Sequence, residues 1–242
     1  SRHPLQFKSR SGQEELIFRP LFNVRNTIAY HFDTFIFDLD GTVLDTLPDL
    51  VVLTNRTLVE KGFPPRTEAE ILSFVGNGAR RLIYQAVPDN TSEQVADQAL
   101  ELWKSLYADC GVSLTREYEG MRAALLALKA QGKRLGLLSN KFDAGVQDLM
   151  AIHFPGMFAV AHGEGVIARK PDPAGLLQTI EELGSTPEKT VYVGDSRGDM
   201  VVAKRAGTFA LGVTWGYQGE ADLLAGGADA LISVPQSLLD FA

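Results

Sequence analysis

The stretch that most constrains this chain is Phe35-Ile36-Phe37-Asp38-Leu39-Asp40-Gly41-Thr42, where an apolar run stops at two acids spaced two apart, followed by a glycine. A short apolar segment bounded by turn residues reads as a strand buried on both faces, which belongs inside a parallel sheet. If strand geometry persists through Asp40, alternation puts Asp38 and Asp40 on the same side. Two such carboxylates repel unless a metal or a proton lies between them. Gly41 lets the backbone turn and bring amides toward an anion, and Thr42 can hold the turn through its hydroxyl. The competing reading is a plain turn with a solvated strand end; the apolar strand running straight into the acids favours chemistry.

The rest of the pattern says what this strand joins. Thr46-Leu47-Pro48-Asp49 predicts a helix start, with Pro48 in the first turn and Asp49 complementing the dipole, and Gly62 predicts its end. Thr67 and Glu70 have capping-box spacing and predict a second helix through Phe74. Gly76-Asn77-Gly78 breaks it, Arg80 begins another, and Thr91 with Gln94 repeats the capping spacing before a long helix ending near Gly111. No strand is expected between about Asp49 and Thr115, so this segment reads as a helical insertion. Strand-helix alternation then resumes: a helix over residues 123–130, a strand over 134–138 ending at Ser139, and strands near 158–161, 190–193, 209–213 and 230–232. Such alternation predicts an α/β fold, a doubly wound parallel sheet. The expected organisation is an N-terminal extension of unknown role (1–31, with residues 15–18 a short strand or helix), a core built from 32–48 and 116–242, and the insertion 49–115.

In sheets of this kind ligands bind beyond the carboxyl ends of the strands, where strand order reverses. Polar residues that follow apolar strands therefore converge, and Ser139, Lys170 and Asp195 join Asp38 and Asp40. Ser139, expected just before a helix, reads either as a phosphoryl-oxygen ligand or as a helix cap. Lys170, in Ala168-Arg169-Lys170-Pro171-Asp172-Pro173, reads as a solvated loop residue or as the cation a phosphoryl site requires. Asp195 and Asp199 face one point if Asp199 lies on a first helical turn; the alternative is a capping acid with an exposed companion. Oxygen ligands of this kind suit Mg²⁺. The four histidines are scattered and read as surface or packing residues.

Composition narrows the partners. A net charge of −7 without a dense Lys/Arg block argues against nucleic acid as a partner. Cys110 is the only cysteine, which excludes an internal disulfide and a thiolate metal site and fits a reducing compartment. No apolar run approaches a membrane span, and Arg19 interrupts Leu16-Ile17-Phe18, so neither a membrane partner nor a signal segment is expected. The expected location is cytoplasmic, and a homodimer is compatible with the sequence.

Taken in order, Asp38-Leu39-Asp40-Gly41-Thr42-Val43-Leu44-Asp45, Ser139, Lys170 and Asp195 with Asp199 resemble the motifs of the haloacid dehalogenase-like (HAD) phosphatases, over residues 32–235. The resemblance implies a Rossmann-like core with the insertion as a helical cap. It implies that Asp38 attacks phosphorus and forms an aspartyl-phosphate, while Asp40 protonates the leaving alcohol and then deprotonates water. Mg²⁺ would be held by Asp38, the main-chain carbonyl of Asp40, Asp195 and, through water, Asp199. Ser139, Lys170 and the main chain around Gly41 and Thr42 would cradle the phosphoryl oxygens.

Phe74-Val75-Gly76-Asn77-Gly78-Ala79, Leu128-Lys129-Ala130-Gln131-Gly132, Ser139-Asn140-Lys141 and Trp215-Gly216-Tyr217 are similar to the phosphoglycolate phosphatases. That likeness implies a small phosphorylated metabolite as substrate, phosphoglycolate foremost, with Asn140 and the amides of Gly76, Asn77 and Gly78 against it and Arg80 as a nearby cation. A helix-breaking turn with a solvated arginine is the alternative there, and Trp215 and Tyr217 read as packing. Two departures stand out: Tyr118-Glu119-Gly120 lies where a proline commonly precedes the glycine, and Gly198 replaces a usual polar residue beside Asp199. Two rival functions stay open: a phosphosugar mutase of the same superfamily, and a non-catalytic phosphate-binding interaction protein.

Overall fold

The computed structural model describes residues 30–110 and 112–242, so the element expected at 15–18 and nearly all of the N-terminal extension lie outside the described residues. Strand β1 (Thr34–Phe37) is buried at every position. It lies inside a six-stranded sheet of order β5 (Val160–Glu164), β4 (Arg134–Phe142), β1, β6 (Thr190–Gly194), β7 (Phe209–Val213), β8 (Ala230–Ile232). Every neighbouring pair is parallel. The chain builds from β1 outward through β4 and β5, then returns to the other side of β1 with β6. Strand order therefore reverses at β1, and the crevice beyond its carboxyl end is where such sheets take ligands.

Period-2 alternation divides the strand side chains between two helical layers. Phe35, Phe37, Leu135, Leu137, Val191 and Val193 face one core, which includes Met121 and Leu125 of α5 (Met121–Ala130) and Val146 and Leu149 of α6 (Asp143–His153). Ile36, Leu138 and Tyr192 face the other, with Leu176 and Ile180 of α7 (Ala174–Glu182) and Met200 and Val202 of α8 (Arg197–Ala206). Both faces are covered, as the uninterrupted apolar strands require.

The helical insertion consists of α1 (Leu47–Glu60), α2 (Glu68–Phe74), α3 (Gly78–Ala86) and α4 (Glu93–Cys110). It has its own core, in which Leu53, Leu58, Ile83 and Trp103 are fully or nearly buried. The reciprocal capping box of Thr67 and Glu70 is present at α2. At α4 the cap falls one residue later than its spacing suggests. Thr91 Oγ1 donates to the Pro88 carbonyl, and Ser92 Oγ accepts from Val95 N at 3.4 Å. Among the described residues no helix is long and apolar enough to cross a membrane.

The insertion leaves and rejoins the sheet side by side, because β2 (Leu44–Asp45) pairs antiparallel with β3 (Arg116–Glu117). Asp49, on the first turn of α1, sits favourably for the helix dipole, but its main work is elsewhere. Only 1% exposed, its carboxylate accepts from Leu114 N at 2.9 Å, Thr115 N at 2.6 Å and Thr115 Oγ1 at 2.7 Å. It thereby ties the outgoing helix to the returning linker. Asp49→Ala leaves two main-chain donors without their acceptor, and is expected to destabilise the protein by about 2–4 kcal/mol in urea unfolding. An unchanged midpoint would show that the linkers hold together without this clasp.

Candidate active site

Four segments bring their polar ends to the crevice beyond β1. Asp38 follows β1 directly and is 7% exposed. Its Oδ1 accepts from Leu39 N at 2.7 Å and lies 2.9 Å from Lys170 Nζ. The same ammonium donates to Asp199 Oδ1 at 2.7 Å and to the hydroxyl of Tyr192 at 2.9 Å. Tyr192 in turn donates to the Leu138 carbonyl at 3.1 Å, so a residue of the sheet core aims the lysine. Asp199 lies on the first turn of α8, held by Ser196 in a reciprocal capping box; Gly198 leaves that presentation intact.

Asp195 follows β6 and is 2% exposed. Thr42 Oγ1 donates to its Oδ1 at 2.9 Å, and Tyr217 N donates to its Oδ2 at 2.7 Å. Gly41, at φ +80°, passes so close that a Cβ there would collide with the Asp195 carboxylate. Gly216 has the same close approach. Gly41 and Thr42 therefore lie beneath Asp195, where Thr42 is fully buried.

Among the described residues, Asp38, Asp195 and Asp199 each offer a carboxylate oxygen within 4.8 Å of the others. Burial and the charge of Asp199 push Asp38 well above the usual carboxylate range, against the pull of Lys170. Burial, reinforced by Asp199, pushes Asp195 up to about 7. Burial would depress Lys170, but Asp199 and Asp38 outweigh it and hold the ammonium well above the ordinary lysine range. Three buried acids thus share one cation. That deficit of positive charge, on an all-oxygen donor set, fits a hard divalent ion such as Mg²⁺.

Asp40 lies outside this group. Its Oδ1 accepts from Thr46 Oγ1 at 2.6 Å and from Lys141 Nζ at 3.3 Å. Two carboxylates spaced two apart in sequence therefore face different partners. One meets the shared cation, and the other meets the linker that opens the insertion.

A cavity runs from these acids to the insertion, lined by Asp38, Asp40, Ser139, Asn140 and Lys141 on one side and by Gly76, Gly78, Leu82 and Trp103 on the other. Ser139 does not precede a helix. Strand β4 continues to Phe142, with an irregularity in its pairing between Leu138 and Phe142. Such irregularities re-aim side chains next to functional sites. Ser139 Oγ accepts from Lys141 N at 3.1 Å, and Asn140 bridges the two parts by donating to the Gly76 and Lys170 carbonyls, both at 3.1 Å.

Arg80 and Asn77, expected against the leaving group, do not line the cavity, and Gly41 and Thr42 lie against Asp195 outside it. Arg80 is half exposed and committed to Asp97 at 2.7 Å and Glu93 at 3.0 Å, with its guanidinium over the Tyr84 ring. Asn77 is engaged through its carbonyl by Arg169. The residue that sequence reasoning passed over is Lys141. The spacing of two that pairs Asp38 with Asp40 also pairs Ser139 with Lys141 along β4, and that was the available signal.

Tyr217 does more than pack. Its hydroxyl accepts from Thr46 N at 2.8 Å and Leu47 N at 2.9 Å and donates to Asp45 Oδ1 at 3.0 Å. One residue thus touches Asp195 through its main chain and the start of the insertion through its side chain. Trp215 Nε1 likewise donates to the Thr42 carbonyl at 3.0 Å.

Comparison with known proteins places this geometry. Residues 35–213 match the family described as haloacid dehalogenase-like hydrolase. The chain is 38% identical over 188 residues to a phosphoglycolate phosphatase of Pseudomonas putida, covering 75% of this chain and 69% of that protein. It is 35% identical over 189 residues to a phosphoglycolate phosphatase of Vibrio cholerae, covering 75% and 84%. A crystal structure of a predicted phosphoglycolate phosphatase from Haemophilus somnus superposes with a TM-score of 0.80 at 28% identity, covering 86% of this chain and 96% of that one.

Proposed function

The chain belongs to the haloacid dehalogenase-like hydrolases, and from that premise we propose that it is a Mg²⁺-dependent phosphomonoester hydrolase whose substrate is phosphoglycolate. The observation that carries the reading is the buried triad at the carboxyl ends of β1 and β6. One lysine ammonium bridges Asp38 and Asp199, Asp195 is held beside them, and a fourth acid, Asp40, stands apart with different partners. The names of the relatives support the substrate.

In this reading Asp38 attacks the phosphorus in line, the ester bond to the leaving alcohol breaks, and the phosphoryl group resides on the Asp38 carboxylate. Asp40 gives its proton to the departing alkoxide, then takes one from the water that cleaves the aspartyl-phosphate. The leaving oxygen and the phosphorus must lie between the two acids, which is why their different partners matter. Lys170 offsets charge on the phosphoryl oxygens and on the attacking carboxylate. Ser139 Oγ stands at the same rim as a further donor. The ion, when bound to Asp38, Asp195 and Asp199, supplies the remaining positive charge that these acids and the phosphoryl group require.

The insertion, residues 49–115, acts as a cap over the core built from 32–48 and 116–242. Leu50, Leu82 and Trp103 give the cavity an apolar wall, against which charge interactions are less screened than in bulk water.

The test is a panel of phosphomonoesters compared by kcat/KM with and without Mg²⁺. Phosphoglycolate is expected to lead, with inorganic phosphate released and no bisphosphate activator required. Turnover that needs a bisphosphate and returns phosphate to a sugar would establish a mutase instead. No hydrolysis of any ester, an aryl phosphate included, would leave a binding protein.

A further inference from the structure

The cavity between core and cap needs a cation if the leaving group is anionic, and the insertion does not provide it, because Arg80 is spent on Asp97 and Glu93. Among the residues that line the cavity, the cation is Lys141. Its side chain is 4% exposed, so its charge is little screened by solvent. Burial opposes that charge, yet the Asp40 carboxylate outweighs burial and holds the ammonium above the ordinary lysine range.

Its partners leave it unsaturated. An ammonium has three donors, and this one meets one carboxylate oxygen at 3.3 Å and lies 5.3 Å from the centre of the Tyr107 ring. The Asp40 oxygen it meets already accepts from Thr46 at 2.6 Å. The opposite wall, with Leu50, Leu82 and Trp103, contributes apolar surface in place of competing acceptors.

Resting on the phosphatase reading, we propose that Lys141 is the specificity-determining cation of this site, selecting phosphomonoesters whose leaving alcohol carries a carboxylate close to the ester oxygen. The distance sets the class. Asp40 must reach the leaving oxygen, and Lys141 stands one hydrogen bond from Asp40. The anionic group therefore lies within a few bonds of the ester oxygen, as in a 2-hydroxy acid, whose carboxyl carbon is two bonds away, and not at the far end of a sugar.

The test compares phosphoglycolate with its neutral isostere, the phosphate ester of glycolamide, on the full chain with Mg²⁺. Wild type is expected to prefer the acid by about 10²-fold in kcat/KM, the scale of a charge-assisted hydrogen bond in a dry pocket. Lys141→Gln is expected to slow both esters, since Lys141 also touches Asp40, but to shrink the ratio to within about threefold. Lys141→Arg, which keeps the charge, is expected to restore at least a tenfold preference.

A wild type that does not discriminate, or a Lys141→Gln variant that keeps the full ratio, overturns the assignment. If Lys141→Gln fails to fold, Lys141→Met takes its place, and a full ratio kept by that variant overturns the assignment in the same way. Failure of the parent reading looks different: wild type then releases phosphate from neither ester nor from an aryl phosphate.

Discussion

Asp38→Asn is expected to lower turnover by on the order of 10⁵-fold or more, the scale seen when the nucleophile of a covalent mechanism is removed. The amide oxygen can still accept from Leu39 N and from Lys170, so the fold has no reason to give way. Replacing Asp38 also removes a carboxylate whose charge is opposed first by burial and then by Asp199. The melting temperature without metal is therefore expected to hold or rise while activity vanishes. That combination separates a chemical loss from a structural one.

Asp40→Asn is expected to cost about 10²–10⁴-fold, the ordinary contribution of an acid-base residue. It should leave a residual turnover that Asp38→Asn does not. Rapid quenching followed by peptide mass analysis is expected to find phosphate on Asp38. Phosphate trapped on Asp40 would reverse the two roles.

The second large effect concerns stability. Lys170→Met removes the one ammonium among the described residues within hydrogen-bonding distance of both Asp38 and Asp199, in a place where its own side chain is 5% exposed. Breaking a buried ion pair from one side typically costs about 3–5 kcal/mol, because the remaining charges stay buried without compensation. For a chain of this size that corresponds to roughly 6–20 °C in the calorimetric midpoint. Added Mg²⁺ is expected to recover part of the loss, since it is drawn to the same carboxylates, whereas turnover stays depressed by about 10²–10³-fold. Lys170→Arg keeps the charge but not the compact geometry, and should fall between. A Lys170→Met midpoint within 2 °C of wild type in metal-free buffer would mean that the acids are already neutral, and the electrostatic account of this site would be wrong.

Much of this protein is legible before any coordinates. The strands announce themselves as short apolar runs, and their alternation sorts Phe35 and Phe37 from Ile36 without reference to the fold. The acids at the ends of β1 and β6 are legible for a related reason. A parallel sheet exposes polar groups at its carboxyl ends, so an acid directly after a buried strand has one place to go. The Thr67 capping box is equally local, needing only residues three apart.

Other features belong to the tertiary structure alone. Asp49 and Leu114 are 65 positions apart, and Tyr217 and Thr46 are 171 apart; no window of sequence contains either clasp. The direction of Arg80 depends on which face of α3 packs against α4, and the extension of β4 past Ser139 depends on pairing with β5. Lys141 shows the boundary most clearly. Its spacing from Ser139 was readable, but only the seating of the insertion over β4 turns an ordinary lysine into a buried cation facing a cavity. Local chemistry is written in neighbours along the chain, and the assembly of that chemistry into a site is decided by which distant surfaces exclude water together.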